Sequence, residues 1–273
     1  QAGVKVYVTL NIFAHNRHFE GLPLYIKELK ALKVDALIVS DPGIIEMIKA
    51  NWPEVEIHLS TQANCTNWHS AKFWYERGVA RVILGREVTL SEIVEIKKRV
   101  PELELEYFVH GAMCMSYSGR CFLSKLMVNR SGNLGSCVQS CRWEYETIKD
   151  NSRFVSAKGH AEVLEIVEEK HGSYILNSQD LCLLPYIRPL IEAGVTSLKI
   201  EGRAKSAYYQ AVVAGIYRHA LDLYENDKLD PEKLDELYTE LENKLVHRGY
   251  TTGFLLGDEA EQNVEVSHEE SAW

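Results

Sequence analysis

Residues 36–60 read ALIVSDPGIIEMIKANWPEVEIHLS. The apolar run Ala36 to Val39 has strand character and stops at Ser40-Asp41-Pro42-Gly43. Ile44, Ile45 and Ile48 then recur at helical spacing up to Asn51, and Val55 to Ser60 returns to strand character. The unit is strand, polar turn, helix, strand, and it repeats in both directions along the chain. Strands are expected at 4–10, 36–40, 55–60, 80–84, 104–109 and 195–200. Helices are expected at 19–33, 44–51, 68–78, 90–100 (with Ser91 as N-cap), 181–193, 204–226 and 229–248. Alternation of this kind predicts an α/β protein with a parallel sheet wrapped by helices. Strands as apolar as ALIV and RVIL suit a sheet buried on both faces.

Two architectures follow, an eight-stranded (β/α)8 TIM-like barrel and an open doubly wound sheet. No G-x-G-x-x-G follows a strand, which leaves the dinucleotide-binding version without support. The expected fold is therefore the barrel, lacking its first two βα units and carrying a Cys-rich insertion. The expected domains are a partial barrel over 1–228, with the insertion at 111–182, and a helical extension leading toward a small β-domain over 229–273.

Composition narrows the function classes. The chain of 273 residues carries 30 basic and 39 acidic residues, a formal charge of −9, with 46% hydrophobic residues. Those values exclude a disordered or collagen-like chain. The acidity argues against a strong nonspecific grip on nucleic acid, DNA included, although a local basic patch remains compatible with it. No apolar run approaches the ~20 residues of a membrane span. The opening QAGVKVYVTLN lacks a secretory pattern, so the cytosol is the expected location.

In a barrel the chemistry sits where strands end. The residues there are Asn11, Asp41, Gln62 and Asn64, Arg86 and Glu87, His110, and Glu201 with Arg203. Taken singly, each reads as a cap or turn residue. Taken together, Arg86 and Arg203 read as forks for carboxylate or phosphate, and His110 and Glu201 as proton carriers. Lys199 lies in a strand of alternating pattern, where it points inward or pairs with Glu201 or Glu106.

The six cysteines are Cys65, Cys114, Cys121, Cys137, Cys141 and Cys182, and four of them lie between 114 and 141. Clustered thiols in a reducing compartment bind metal or do redox chemistry. The spacing lacks the paired C-x2-C knuckles of zinc ribbons. Gly111, Gly119, Gly132 and Gly135 allow the tight turns that a cluster loop needs. Iron–sulfur, zinc and unligated thiols all stay open on chemistry alone. Arg120, Lys125, Arg130, Arg142 and Arg153 surround this stretch with Tyr117, Phe122 and Trp143 among them, a composition suited to single-stranded RNA or to solvated charge over core aromatics.

The stretch EYFVHGAMCMSYSGRCFLS (106–124) resembles the signature of the collagenase-like peptidase family U32. NSQDLC (177–182), LKIEGR (198–203), SDPG (40–43), HLSTQA (58–63) and LGRE (84–87) extend the resemblance over nearly the whole chain. It implies a β/α barrel whose first two strands precede residue 1, with RGYTTG (248–253) leading toward a small β-domain. It implies either a peptidase or oxygen-independent hydroxylation of a tRNA wobble uridine, an rRNA cytidine or a ubiquinone precursor. The hydroxylation is linked to prephenate and a 4Fe-4S cluster. By resemblance the cluster ligands are Cys114, Cys121, Cys137 and Cys182, with Cys141 as the alternative fourth. The run CRWEY (141–145) resembles the nucleic-acid-modifying branch. No H-E-x-x-H or G-x-S-x-G supports the peptidase reading. A third reading is a non-catalytic subunit that partners a second family member.

Overall fold

The computed structural model describes residues 3–114, 116–143, 145–147, 154–157, 163–165, 179–203, 205–247 and 249–257. The chain forms two compact units, Gln1–Met113 with Gln179–Trp273, and Cys114–Ser178.

The first unit begins with β1 (Tyr7–Leu10), α1 (Asn16–Phe19), α2 (Leu22–Leu32), β2 (Ala36–Val39) and α3 (Pro42–Asn51). It continues through β3 (Glu56–Leu59), α4 (Trp68–Tyr75), β4 (Arg81–Ile83), α5 (Leu90–Arg99) and β5 (Glu104–Ala112). The second unit holds α6 (Leu123–Val128) and strands β6 (Tyr145–Thr147), β7 (Phe154–Ala157) and β8 (Val163–Glu165), which pair antiparallel in that order. The chain then returns to the first unit with β9 (Asp180–Cys182), α7 (Ile187–Glu192), β10 (Val195–Ile200), α8 (Ala207–Glu225), α9 (Pro231–Lys244) and β11 (Tyr250–Thr251).

All six expected strands form. They lie in the order β1-β2-β3-β4-β5-β10, every pairing parallel. Ala36, Leu37, Ile38 and Val39 are all buried, which a strand covered on both faces requires. Among the described residues β1 and β10 each have one neighbour, so the parallel strands make an open arc and no ring closes. The α/β class stands, and the closed barrel is not seen.

Side chains fix where the helices start. Asp41 accepts from the N–H groups of Gly43 and Ile44 at 2.8 and 3.1 Å, so the turn that ends β2 also caps α3, and Pro42 fits at its first position. Thr89, two residues before the expected Ser91, caps α5: its side chain accepts from the Glu92 N–H at 3.4 Å, and Glu92 reaches back to the Thr89 N–H at 2.7 Å. Ile93 and Ile96 then bury one face of α5 in the core, worth about 2 kcal/mol each.

One expected helix does not form as drawn. Residues 180–182 are strand, Leu184–Tyr186 is a single 3-10 turn, and only Ile187–Glu192 is α-helical. Pro185 and Pro189 are the reason: each lacks an N–H, which is tolerated only in a first turn, and each sits in one. The freed segment β9 pairs antiparallel with the end of β5, and β11 pairs parallel with β9. Helix α9 packs on α8 and on the 3-10 turn, burying Leu237 and Leu241 in the same core as the arc. Residues 174–177, whose sequence reads as a short extended segment, lie outside the described residues, as do Arg153 and the tail from 258.

Candidate functional site

One face of β5 carries a charge network. Glu106 is buried and accepts from Lys199 Nζ at 2.7 Å, from Ser197 Oγ at 2.9 Å and from Arg81 at 3.4 Å. Burial alone raises its carboxyl, but the charge and hydrogen bond of Lys199, with Ser197 and Arg81, outweigh it and hold the group below its ordinary range. Arg81 also binds Glu104 at 2.6 Å. Lys199 therefore pairs with Glu106, as the second of its two readings expects. Farther along β5, the Arg86 guanidinium lies 3.8 Å from the Phe108 ring centroid, and Lys199 Nζ lies 5.4 Å from the same centroid. Two cations thus lie against one aromatic ring.

His110 turns elsewhere. Lys199 pairs with Phe108 and Ile200 with His110, so β5 has one extra residue, Val109. A bulge of this kind re-aims the next side chain. The His110 ring meets Tyr217 and Tyr250 at 5.6 Å and Tyr209 at 5.9 Å. It is 1% exposed, and neither ring nitrogen has a hydrogen-bond partner among the described residues. Burial lowers its pKa to about 4, against the upward pull of Asp180, with Lys205 and His247 pushing further down. At neutral pH it is an uncharged imidazole. Cys182 stands opposite it in the β5–β9 ladder, but among the described residues the ring makes no hydrogen bond to a thiol or hydroxyl, as a nucleophile–base dyad requires.

Glu201 follows immediately: its N–H donates to His110 O at 2.8 Å. Its Oε1 accepts from the Arg203 N–H at 3.1 Å, while Oε2 is buried with no partner among the described residues. The Arg203 side chain is exposed. Gly111 makes this approach possible, because a Cβ there would lie 2.4 Å from Glu201 O, and its φ is +116°. Asn11 donates to Ser60 Oγ at 3.1 Å, and Asp41 is the helix cap already described. These two are structural.

The cysteines divide between the units. In the second unit, burial and the neighbouring thiolates of Cys114, Cys137 and Cys121 push the Cys141 thiol up to about 11, and Arg142 opposes them. These four thiols thus share one electrostatic neighbourhood. Cys121 Sγ accepts from the Leu123 N–H at 3.3 Å and Cys137 Sγ from the Gln139 N–H at 3.4 Å. Gly132 lies against both, with room beside Cys137 Sγ. Among the described residues no three His, Cys, Asp or Glu side chains converge on one ion position. A four-iron cluster takes its thiolates at separate irons, so they ring a volume and do not meet at a point, and backbone N–H groups commonly point at their sulfurs. Thiol donors with such backbone contacts are the chemistry that a cluster of this kind uses.

Cys182 belongs to the first unit. It is buried, its thiol raised to about 11 by burial and eased by the Leu184 N–H and the Tyr217 hydroxyl. Cys65 is fully buried and raised to about 12, an inert packed thiol.

The model of peptidase family U32 matches residues 1–265. The chain belongs to family U32. A tRNA hydroxylation protein P of Haemophilus influenzae is 42% identical, with 93% of this chain and 62% of the relative covered. An Escherichia coli 23S rRNA 5-hydroxycytidine synthase is 34% identical, over 93% of this chain and 37% of the relative. An uncharacterized protease of Methanocaldococcus jannaschii is 40% identical, over 93% of this chain and 60% of the relative. The chain spans about three fifths of the length of the first curated relatives it matches. Within this U32 chain, strand ends β4, β5 and β10 carry the polar residues, and the second unit carries the thiols. No described helix is long and apolar enough to cross a membrane.

The sequence gives no sign of three features. The β5 bulge depends on pairing across distant strands. The β9–β11 branch arises from runs too short to show a period. The tyrosine nest is assembled from α8 and β11, whose only advance signal is the tyrosine-rich composition of 207–250.

Proposed function

We propose that this chain takes part in RNA hydroxylation, with tRNA uridine as the favoured substrate. The observation that carries the reading is that Cys114, Cys121, Cys137 and Cys141 lie in one unit, two of them accepting backbone N–H bonds, in a chain whose relatives are named for tRNA and rRNA hydroxylation. These four cysteines would hold a 4Fe-4S cluster. Cys141 is our fourth ligand because it shares the unit and the charge environment of the other three, and Cys182 is the alternative that the motif resemblance implies. When bound, the cluster supplies single-electron exchange.

The chain's own groups do the rest. Arg86, held flat on Phe108, binds a carboxylate of a prephenate-like oxygen donor, and Arg203 offers a second, exposed fork for carboxylate or phosphate. Glu201 Oε2 accepts a proton, since its other oxygen is already engaged. His110 stays neutral and packs among Tyr209, Tyr217 and Tyr250.

The peptidase reading has less support. Thiolates on a cluster are not free nucleophiles, and His110 makes no hydrogen bond to the Cys182 thiol that stands opposite it in the β5–β9 ladder. The test is mass spectrometry of tRNA nucleosides from cells lacking the gene and from cells complemented with it or with Cys121→Ala. Hydroxylated uridine should vanish with the gene, return with the wild type and not return with the variant. Unchanged nucleosides would contradict the reading.

A further inference from the structure

Between Tyr107 and Trp143 the chain has no Asp or Glu, although it carries 39 acidic residues in all. Arg120, Lys125, Arg130 and Arg142 therefore give this stretch only positive charge, in a chain of formal charge −9. Large apolar side chains are also exposed there: Tyr117 at 57%, Phe122 at 79%, Leu126 at 77% and Leu134 at 52%. Arg120, Lys125 and Arg130 are exposed with them.

Helix α6 explains the arrangement. Ser124 and Met127 are its buried side, and Ser124 Oγ accepts from the Val138 N–H at 3.1 Å, tying the helix to the loop after Cys137. Phe122, Lys125, Leu126 and Asn129 fall at i, i+3, i+4 and i+7, and all four are exposed. The second unit thus presents a face of ring, cation, aliphatic chain and amide on a pinned helix. Lys125 touches the Asn129 side chain along it.

We propose that this face grips single-stranded RNA. Phe122 and Tyr117 stack on bases, while Lys125, Arg120 and Arg130 meet phosphates. The inference rests on the RNA reading above and names the surface that serves it. A flexible polyanion with planar rings satisfies both features at once: its phosphates match the exposed cations of this face, and its bases match exposed rings. A protein partner would answer the apolar groups but leaves lysine at the centre of the contact, where interfaces are poor in it.

The test is fluorescence anisotropy with a labelled single-stranded RNA oligonucleotide and the anaerobically purified full chain. Phe122→Ala, Lys125→Ala and Arg130→Ala are compared with Lys27→Ala, an exposed cation of the other unit. Phe122→Ala should weaken binding about tenfold. Lys125→Ala should flatten the logarithmic salt dependence by about 0.7. Lys27→Ala should bind as the wild type does, and iron content should stay constant throughout. If the wild type binds and all variants bind equally, the face is not the grip. If the face variants keep their RNA affinity but change from dimer to monomer by light scattering, it seats a second copy and the proposal is overturned. A wild type that binds no RNA overturns the RNA reading itself, which is a separate result.

Discussion

Lys199 on β10 reaches Glu106 on β5 at 2.7 Å, and Glu106 is buried within the sheet. Its carboxylate is also held by Ser197 and Arg81. Removing Lys199 leaves a buried charge with weaker compensation. Lys199→Met should destabilise the protein by about 3 kcal/mol in urea unfolding. The double variant with Glu106→Gln should recover part of that loss. Additive effects of the two substitutions would show that they do not act as a pair.

His110 makes stability depend on pH. Its pKa is lowered to about 4 in the folded state, chiefly by burial, against about 6.5 unfolded. The unfolded chain therefore takes up the proton first. Stability is intact above about pH 6.5 and falls as pH drops toward 4, by about 3 kcal/mol from this group. His110→Gln should remove that part of the slope between those limits, measured by urea midpoints at several pH values. A slope unchanged in the variant would remove His110 as its source.

Gly111 lets β5 pass Glu201. Because a Cβ would lie 2.4 Å from Glu201 O, at a φ of +116°, Gly111→Ala strains the backbone as well as the contact. The expected loss is several kcal/mol, about 3 or more. Thermal unfolding measures it, and a melting temperature equal to wild type would mean that the two strands do not approach in this way.

Arg86 stacks on Phe108 through a planar guanidinium. Arg86→Ala should raise KM for an anionic oxygen donor by about tenfold or more, with iron content unchanged. Arg86→Lys should not restore it, since lysine keeps the charge but loses the flat fork. Full activity in Arg86→Ala would take this residue out of the mechanism.

Much of this was legible in the residues. The six parallel strands follow from apolar runs such as Ala36–Val39 and from the helical spacing between them, because burial on both faces leaves a strong local trace. Arg86 and Glu201 could be placed at strand ends for the same reason. What escaped depends on contacts between distant segments. The extra residue at Val109, which turns His110 toward Tyr209, Tyr217 and Tyr250, follows from the register with Lys199 and Ile200. Strand β9 was hidden inside an apolar run with helical spacing, where Pro185 and Pro189 decide the outcome. The grouping of Cys141 with the other thiols depends on how the second unit folds back along α6, which the spacing C-x3-C alone leaves open.

The central claim is a cluster held by Cys114, Cys121, Cys137 and Cys141. Iron and acid-labile sulfide per chain, measured on anaerobically purified wild type, Cys141→Ser and Cys182→Ser, test it most directly. The account predicts about four of each in the wild type and in Cys182→Ser, with both lost in Cys141→Ser. Loss in Cys182→Ser with retention in Cys141→Ser would contradict the ligand assignment, and stoichiometric zinc in place of iron and sulfide would contradict the cluster itself.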